Sequence, residues 1–205
     1  LSVNSTADAE TIEELKQTTV EITEKKERPE NGFVLSEKSD LENTMAFMEG
    51  AGNTVTDLSN IVTKDIHGKE FTSKDFANYD LTMVNVFATW CTACIQEIPD
   101  LVEVQKEMQA KGVNIIGIVT DTVDDTGEKR EALEKAKLIQ EKTKANYSFL
   151  MPDKTNFNGR LNGIQALPET FFVDKNGQIV GETYSGSHNK KAWMEIIEKE
   201  LAKVK

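Results

Sequence analysis

One junction constrains this chain more than any other feature. Leu81 to Ala88 is a near-continuous apolar run with β-branched and aromatic members, followed at once by Thr89-Trp90-Cys91-Thr92-Ala93-Cys94 and an amphipathic stretch. The run has strand length and is apolar at alternate and intervening positions alike, the pattern of a central strand covered on both faces. Ile95, Ile98, Leu101, Val102 and Met108 recur at helical spacing, so a helix is expected from Cys91 to about Ala110, with Pro99 kinking it. A buried strand that hands over to a helix at a cysteine pair puts the first cysteine where free N–H groups and the positive dipole end stabilise a thiolate. In such Cys-X-X-Cys pairs the first thiol pKa falls to roughly 3.5–7.5. Cys91 is the expected nucleophile. Cys94, one turn inward, is the resolving thiol. Two inert core cysteines, or half of a metal site, are the alternative readings.

Further elements follow on either side. Asn60 to Asp65 and Glu70-Phe71, around Ile66-His67-Gly68-Lys69, read as a small hairpin. Val113 to Thr120 is a second buried strand, Glu128 to about Ala145 a helix with Leu133, Ala136 and Ile139 inward, and Tyr147 to Met151 a short strand. Asn156 to Ile164 is expected as another short helix. Thr170 to Asp174 and Gln178 to Tyr184 are strands joined by the turn signal Lys175-Asn176-Gly177. A closing helix from Asn189 to about Val204 carries Trp193, Ile196, Ile197, Leu201 and Val204 on one stripe. Strand–helix–strand first and hairpin–helix last implies an α/β fold, a central mixed sheet with helices on both faces.

Composition narrows the function. A formal charge of -11 argues against a nucleic-acid partner, because phosphate binding needs clustered Lys and Arg. The hydrophobic fraction of 38% is low for a fully packed chain, and the polar excess lies at the start. Thr11 to Glu30 is crowded with Glu and Lys, contains no aromatic residue, and ends in Arg28-Pro29-Glu30. Residues 1–48 are expected to form an acidic tether or stalk, with a docking helix through Ile12, Leu15 and Ile22 as the alternative. Residues 49–205 are the expected globular domain. The chain has neither an initiating Met nor a charged-then-apolar leader, so a processed or trimmed start is expected. The longest apolar runs are strand-sized. Two cysteines three positions apart cannot staple a long loop. They cannot complete a zinc site without His or carboxylate help, and His67 and His188 are distant in sequence.

Val84 to Cys94 with Glu97-Ile98-Pro99, and then Leu167-Pro168-Glu169-Thr170-Phe171-Phe172-Val173-Asp174-Lys175-Asn176-Gly177, resemble the two signatures of the TlpA/ResA family. These are extracytoplasmic thioredoxin-like proteins, and the resemblance covers roughly residues 50 to 205. It implies a thioredoxin-like fold with an N-terminal hairpin addition, and thiol–disulfide oxidoreductase activity without organic or metal cofactor. It also implies disulfide-containing protein substrates, an anchored and extracytoplasmic location, and electrons from a membrane thiol carrier. Apocytochrome haem-site cysteines and methionine sulfoxide reductases are among the family's substrates, and nothing in this sequence selects between them. A monomer is expected.

The resemblance makes Pro168 a cis-proline against the cysteine pair. Leu167 would then offer its main-chain N–H and carbonyl to an extended substrate segment. Trp90 would flank the sulfurs as an apolar platform, or else fill the core. Glu97, three residues after Cys94, matches a family glutamate that tunes the thiols. Thioredoxins proper place a buried Asp on the preceding strand, where this chain has Asn85. An amide cannot relay a proton, so Glu97 is the candidate carboxylate, against the alternative of a solvated helix glutamate. His67 and His188 are expected as exposed polar residues, and Asp121, Asp124 and Asp125 as a solvated loop without calcium-loop spacing.

Reduction is the expected direction, with a disulfide-forming oxidase as the nearest alternative and a peroxidase or a copper-binding protein of this fold behind it. A strong oxidase would stabilise its dithiol heavily, and Thr92 and Ala93 supply no cation for that. A peroxidase would carry a Pro and Thr pattern before its cysteine, absent here. A copper carrier of similar fold would use a wider cysteine spacing with a distant histidine.

Overall fold

Leu81–Phe87 (β3), apolar or β-favouring at every position but Asn85, is buried throughout and runs through the middle of a five-stranded sheet. The computed structural model of the protein describes residues 55–205, so the expected stalk over residues 1–48 lies outside the described residues. Ahead of β3 come the antiparallel pair Val62–Lys64 (β1) and Glu70–Thr72 (β2), the anticipated hairpin, and a 3-10 helix over Ser73–Asn78. After β3 the chain forms Thr92–Met108 (α1), Val113–Val119 (β4), the two-residue strands Val123–Asp124 (β5) and Gly127–Glu128 (β6), and Arg130–Thr143 (α2). Ser148–Leu150 (β7), Glu169–Asp174 (β8), Ile179–Ser185 (β9) and Lys190–Leu201 (α3) complete it.

The sheet order is β7-β4-β3-β8-β9. β3 is parallel to β4 (Phe87 opposite Val119) and antiparallel to β8 (Val86 opposite Glu169). β4 is parallel to β7, and β8 is antiparallel to β9. The mixed sheet flanked by helices is therefore present. Its two parallel connections, through α1 and α2, step the same way across the sheet, and right-handed crossovers then leave both helices on one face. One buried cluster accordingly joins Met83, Phe87, Ile115 and Phe172 to Ile98, Leu101, Ile139, Trp193 and Ile197. The opposite face, Val84, Val86, Ile116, Ile118 and Phe171, is covered by Leu58, Ile61, Phe76 of the 3-10 helix and Phe157. Among the described residues that second cover is a 3-10 helix and loops rather than an α-helix.

Two expectations need correction. No helix forms over residues 156–164: Asn156, Phe157, Asn158 and Gly159 all have positive φ (51°, 54°, 58° and 85°), which an α-helix excludes. The Asp153 carboxylate accepts the N–H groups of Thr155 and Phe157, and asparagine tolerates the left-handed region better than most residues. Burial of Phe157, 0% exposed, anchors the turn. The second helix starts at Arg130 rather than Glu128, because Gly127 and Glu128 pair with Asp124 and Val123. Pro99 lies inside α1 without ending it.

Candidate functional site

The redox pair sits at the carboxyl end of β3. Cys91 is the N-cap of α1, its backbone extended at φ -85° and ψ 100°. Its N–H donates to the Ala88 carbonyl (3.1 Å) and its carbonyl accepts from Ile95 N–H (3.1 Å). The Cys94 N–H, one of the donors that a helix start leaves without an intrahelical acceptor, points at Cys91 Sγ at 3.3 Å. The same donor would stabilise a thiolate there. The two sulfurs form a disulfide, with Cys91 7% exposed and Cys94 fully buried. Approach is thus to Cys91. Trp90 beside it is 61% exposed, which rejects the core-filler reading.

The loop before Cys91 is fixed from the turn that follows β4. The Asp121 carboxylate accepts the Thr89 N–H (3.0 Å) and hydroxyl (2.6 Å), and Thr120 Oγ1 donates to the Phe87 carbonyl (3.2 Å). Asp121 was expected in a solvated loop. It is instead half-buried and tied to the redox loop, whereas Asp124 and Asp125 are exposed. Asp124 is held down at about 2, first by the Thr126 hydroxyl and then by Lys129.

The Leu167–Pro168 peptide bond is cis. Continuing the β3–β8 register places Pro168 across from Phe87, at the sheet end that carries the cysteines. Pro168 is buried and its carbonyl accepts from Gly186 N–H (2.9 Å), while half-buried Leu167 packs against both apolar clusters. The next residue, Glu169, is ion-paired to Arg160 at 2.8 Å, and both side chains are largely buried. Arg160 also lies 4.2 Å over the Phe171 ring and donates to Thr183. Sequence reasoning missed Arg160, because a lone Arg ahead of the motif carries no spacing signal.

Glu97 is 3% exposed, so the solvated-surface alternative is excluded. Its Oε1 accepts the His188 main-chain N–H and the Trp193 indole N–H, each at 2.7 Å, and its Oε2 accepts from Asn85 Nδ2 at 3.2 Å. Asn85 Nδ2 also donates to Thr170 Oγ1 (3.1 Å), tying β3 to β8 beneath the helix. Burial pushes the Glu97 carboxyl above its ordinary value, the dominant effect. The hydrogen bonds from His188, Trp193 and Asn85, and then the charge of His188, pull it back down. Buried Tyr147 is raised well above the usual phenol range by burial first and by the Glu97 charge second. His188 was expected as an exposed polar residue. The structure brings it into the site, half-buried with its ring 4.6 Å from that of Trp193. His67 stays at the surface against Gln140. Among the described residues no group of three or more His, Cys, Asp or Glu side chains could hold a metal ion, and no helix is long and apolar enough to cross a membrane.

The AhpC/TSA family model matches residues 52–181, more than half of the chain. The thiol-disulfide oxidoreductase ResA of Bacillus thuringiensis is 27% identical over 143 residues, 68% of this chain and 74% of that protein. The thiol:disulfide interchange protein DsbE of Haemophilus influenzae is 29% identical over 136 residues, 66% of this chain and 67% of its own length. A thioredoxin-family thiol:disulfide interchange protein from Chlorobium tepidum superposes with a TM-score of 0.58 at 28% identity, over 73% of this chain and 99% of its own.

Proposed function

The chain belongs to the AhpC/TSA family, and from that premise we propose that it reduces disulfides in extracytoplasmic proteins through Cys91 and Cys94. Thiol–disulfide oxidoreduction is the activity its ResA and DsbE relatives are named for, and the cysteine pair has the spacing for it. The observation that carries the assignment of roles is the helix start: Cys91 is the accessible sulfur and receives the Cys94 N–H, while Cys94 is enclosed.

The cycle begins from the dithiol. The Cys91 thiolate attacks one sulfur of the substrate disulfide, forming a mixed disulfide and releasing the other substrate sulfur as a thiolate. Cys94, once deprotonated, attacks Cys91 Sγ; the second substrate thiolate leaves and the enzyme is oxidised by two electrons. Cys94 is buried, so its proton needs a local acceptor. Glu97, one turn on and with its proton affinity raised by burial, fits that task. Leu167 would pair its main chain with an extended substrate segment, Pro168 would cap that clamp, and Trp90 would cover its apolar side.

An external dithiol must return the electrons, and the family resemblance supports a membrane thiol carrier in that role. It likewise supports a location outside the cytoplasm, with anchoring ahead of the described domain and action as a monomer. The test is substrate trapping. Cys94→Ser should accumulate mixed disulfides with oxidised protein substrates, because the release step is gone, and Cys91→Ser should accumulate none. Trapping by Cys91→Ser instead would reverse the roles.

A further inference from the structure

We propose that His188 is a positioning residue that joins the two halves of the redox site, the Pro168 clamp and the Glu97 carboxylate. This rests on the reading of both groups given above. The segment Gly186-Ser187-His188 lies between β9 and α3 and touches each half. Gly186 N–H donates to the Pro168 carbonyl at 2.9 Å, and the Gly186 carbonyl lies 3.0 Å from His188 Nδ1. A carbonyl only accepts, so Nδ1 carries the hydrogen. Two residues after the bond to Pro168, the His188 main-chain N–H donates to Glu97 Oε1 at 2.7 Å. Gly186 has φ +86°, a conformation that a side chain would strain, so the bend needs glycine.

The imidazole packs on Trp193, whose own N–H donates to the same Glu97 oxygen. One turn therefore holds a cis-proline carbonyl at one end and a buried carboxylate at the other, with a titratable ring between them. The ionisable groups that act on Glu97 are His188 from this turn and Tyr147 just before β7; Lys190 at the start of α3 is engaged by Glu107. A cationic His188 favours the Glu97 carboxylate, and linkage makes the coupling reciprocal.

Two variants of the full chain separate the functions. In His188→Asn the main-chain N–H remains and the side-chain amide can still donate to Gly186, but the cation is lost. His188→Ala loses the side-chain donor as well. In the disulfide form, where the cysteines do not titrate, the Glu97 carboxyl carbon is followed by NMR against pH. The midpoint should rise in His188→Asn, because the cation that favours the carboxylate is gone. Superimposable curves would overturn the coupling. For the clamp, KM in insulin reduction should rise severalfold in His188→Ala, with kcat within about twofold, and His188→Asn should restore it. Equal KM increases in both variants would overturn the Gly186 tie. Thiol-alkylation profiles of Glu97→Gln, with and without His188→Asn, keep the two readings apart. If Glu97→Gln matches the parent, the role of Glu97 fails while the His188 coupling stands or falls on the carbon titration alone.

Discussion

Replacing Trp193 by Phe probes the buried centre of the site most sharply. The indole is 0% exposed and its N–H donates to Glu97 Oε1 at 2.7 Å. A hydrogen bond to an ionised group contributes about 1.5–3 kcal/mol, against about 0.5–1.5 for a neutral one. The smaller ring also leaves a void of roughly 40 Å³, which costs about 1 kcal/mol at ~24 cal/mol per Å³. The expected loss is therefore about 3 kcal/mol where Glu97 is ionised and about 2 kcal/mol where it is protonated. The sign with pH follows from linkage. Burial raises the folded-state value of Glu97 above its unfolded one, so its contribution is greatest at low pH and declines as pH rises through the folded value. Removing a donor that favours the carboxylate raises the folded value further and steepens that decline. Urea unfolding of the disulfide form at pH 4.5 and pH 8 should show the variant losing about 1 kcal/mol more at the higher pH. A loss below about 1 kcal/mol, or one independent of pH, would mean the indole does not serve a buried carboxylate.

Limiting alkylation of the dithiol at neutral pH should label Cys91 far faster than Cys94, read by peptide mass; comparable rates would remove the helix-start argument. Asp121→Ala should cost about 1–3 kcal/mol, because it strips the buried Thr89 N–H and hydroxyl of their acceptor, and chemical denaturation measures it. Arg160→Ala should cost about 3–5 kcal/mol, because Glu169 stays buried beside Pro168 without its cation; a milder loss in the same assay would place that carboxylate in solvent. Deleting the residues before about Met48 should leave insulin reduction nearly intact, and a large drop would make that segment part of the domain.

The parts of the site legible in sequence were those with a spacing. The apolar run over β3, the cysteine pair at the helix start and the Leu167-Pro168 motif each declare themselves within a few residues, and local rules suffice to place them. Glu97 was legible as a candidate but not as buried, since its three hydrogen-bond donors come from β3, the turn before α3 and α3 itself. His188, Trp193, Asp121 and Arg160 are separated from their partners by sequence distances that no periodicity encodes. Trp193 was visible only as part of an apolar stripe, and the stripe says nothing of where an indole N–H points. The region 156–164 misled for a different reason. Its composition allows a helix, and only the Asp153 carboxylate and the burial of Phe157 select the left-handed turn instead.

The direction of electron flow is the central claim, and a reduction potential tests it directly. Thr92 and Ala93 are small and uncharged, so thiolate stabilisation comes chiefly from the Cys94 N–H and the helix start. Moderate stabilisation keeps the dithiol a good reductant, near the thioredoxin value of about -270 mV rather than the strongly oxidising value of about -120 mV. Those extremes differ by ~150 mV, about 7 kcal/mol for a two-electron couple, so equilibration against dithiothreitol or glutathione buffers resolves them. We expect a value near the reducing end. A value above about -150 mV would make the protein an oxidase and contradict the proposed function.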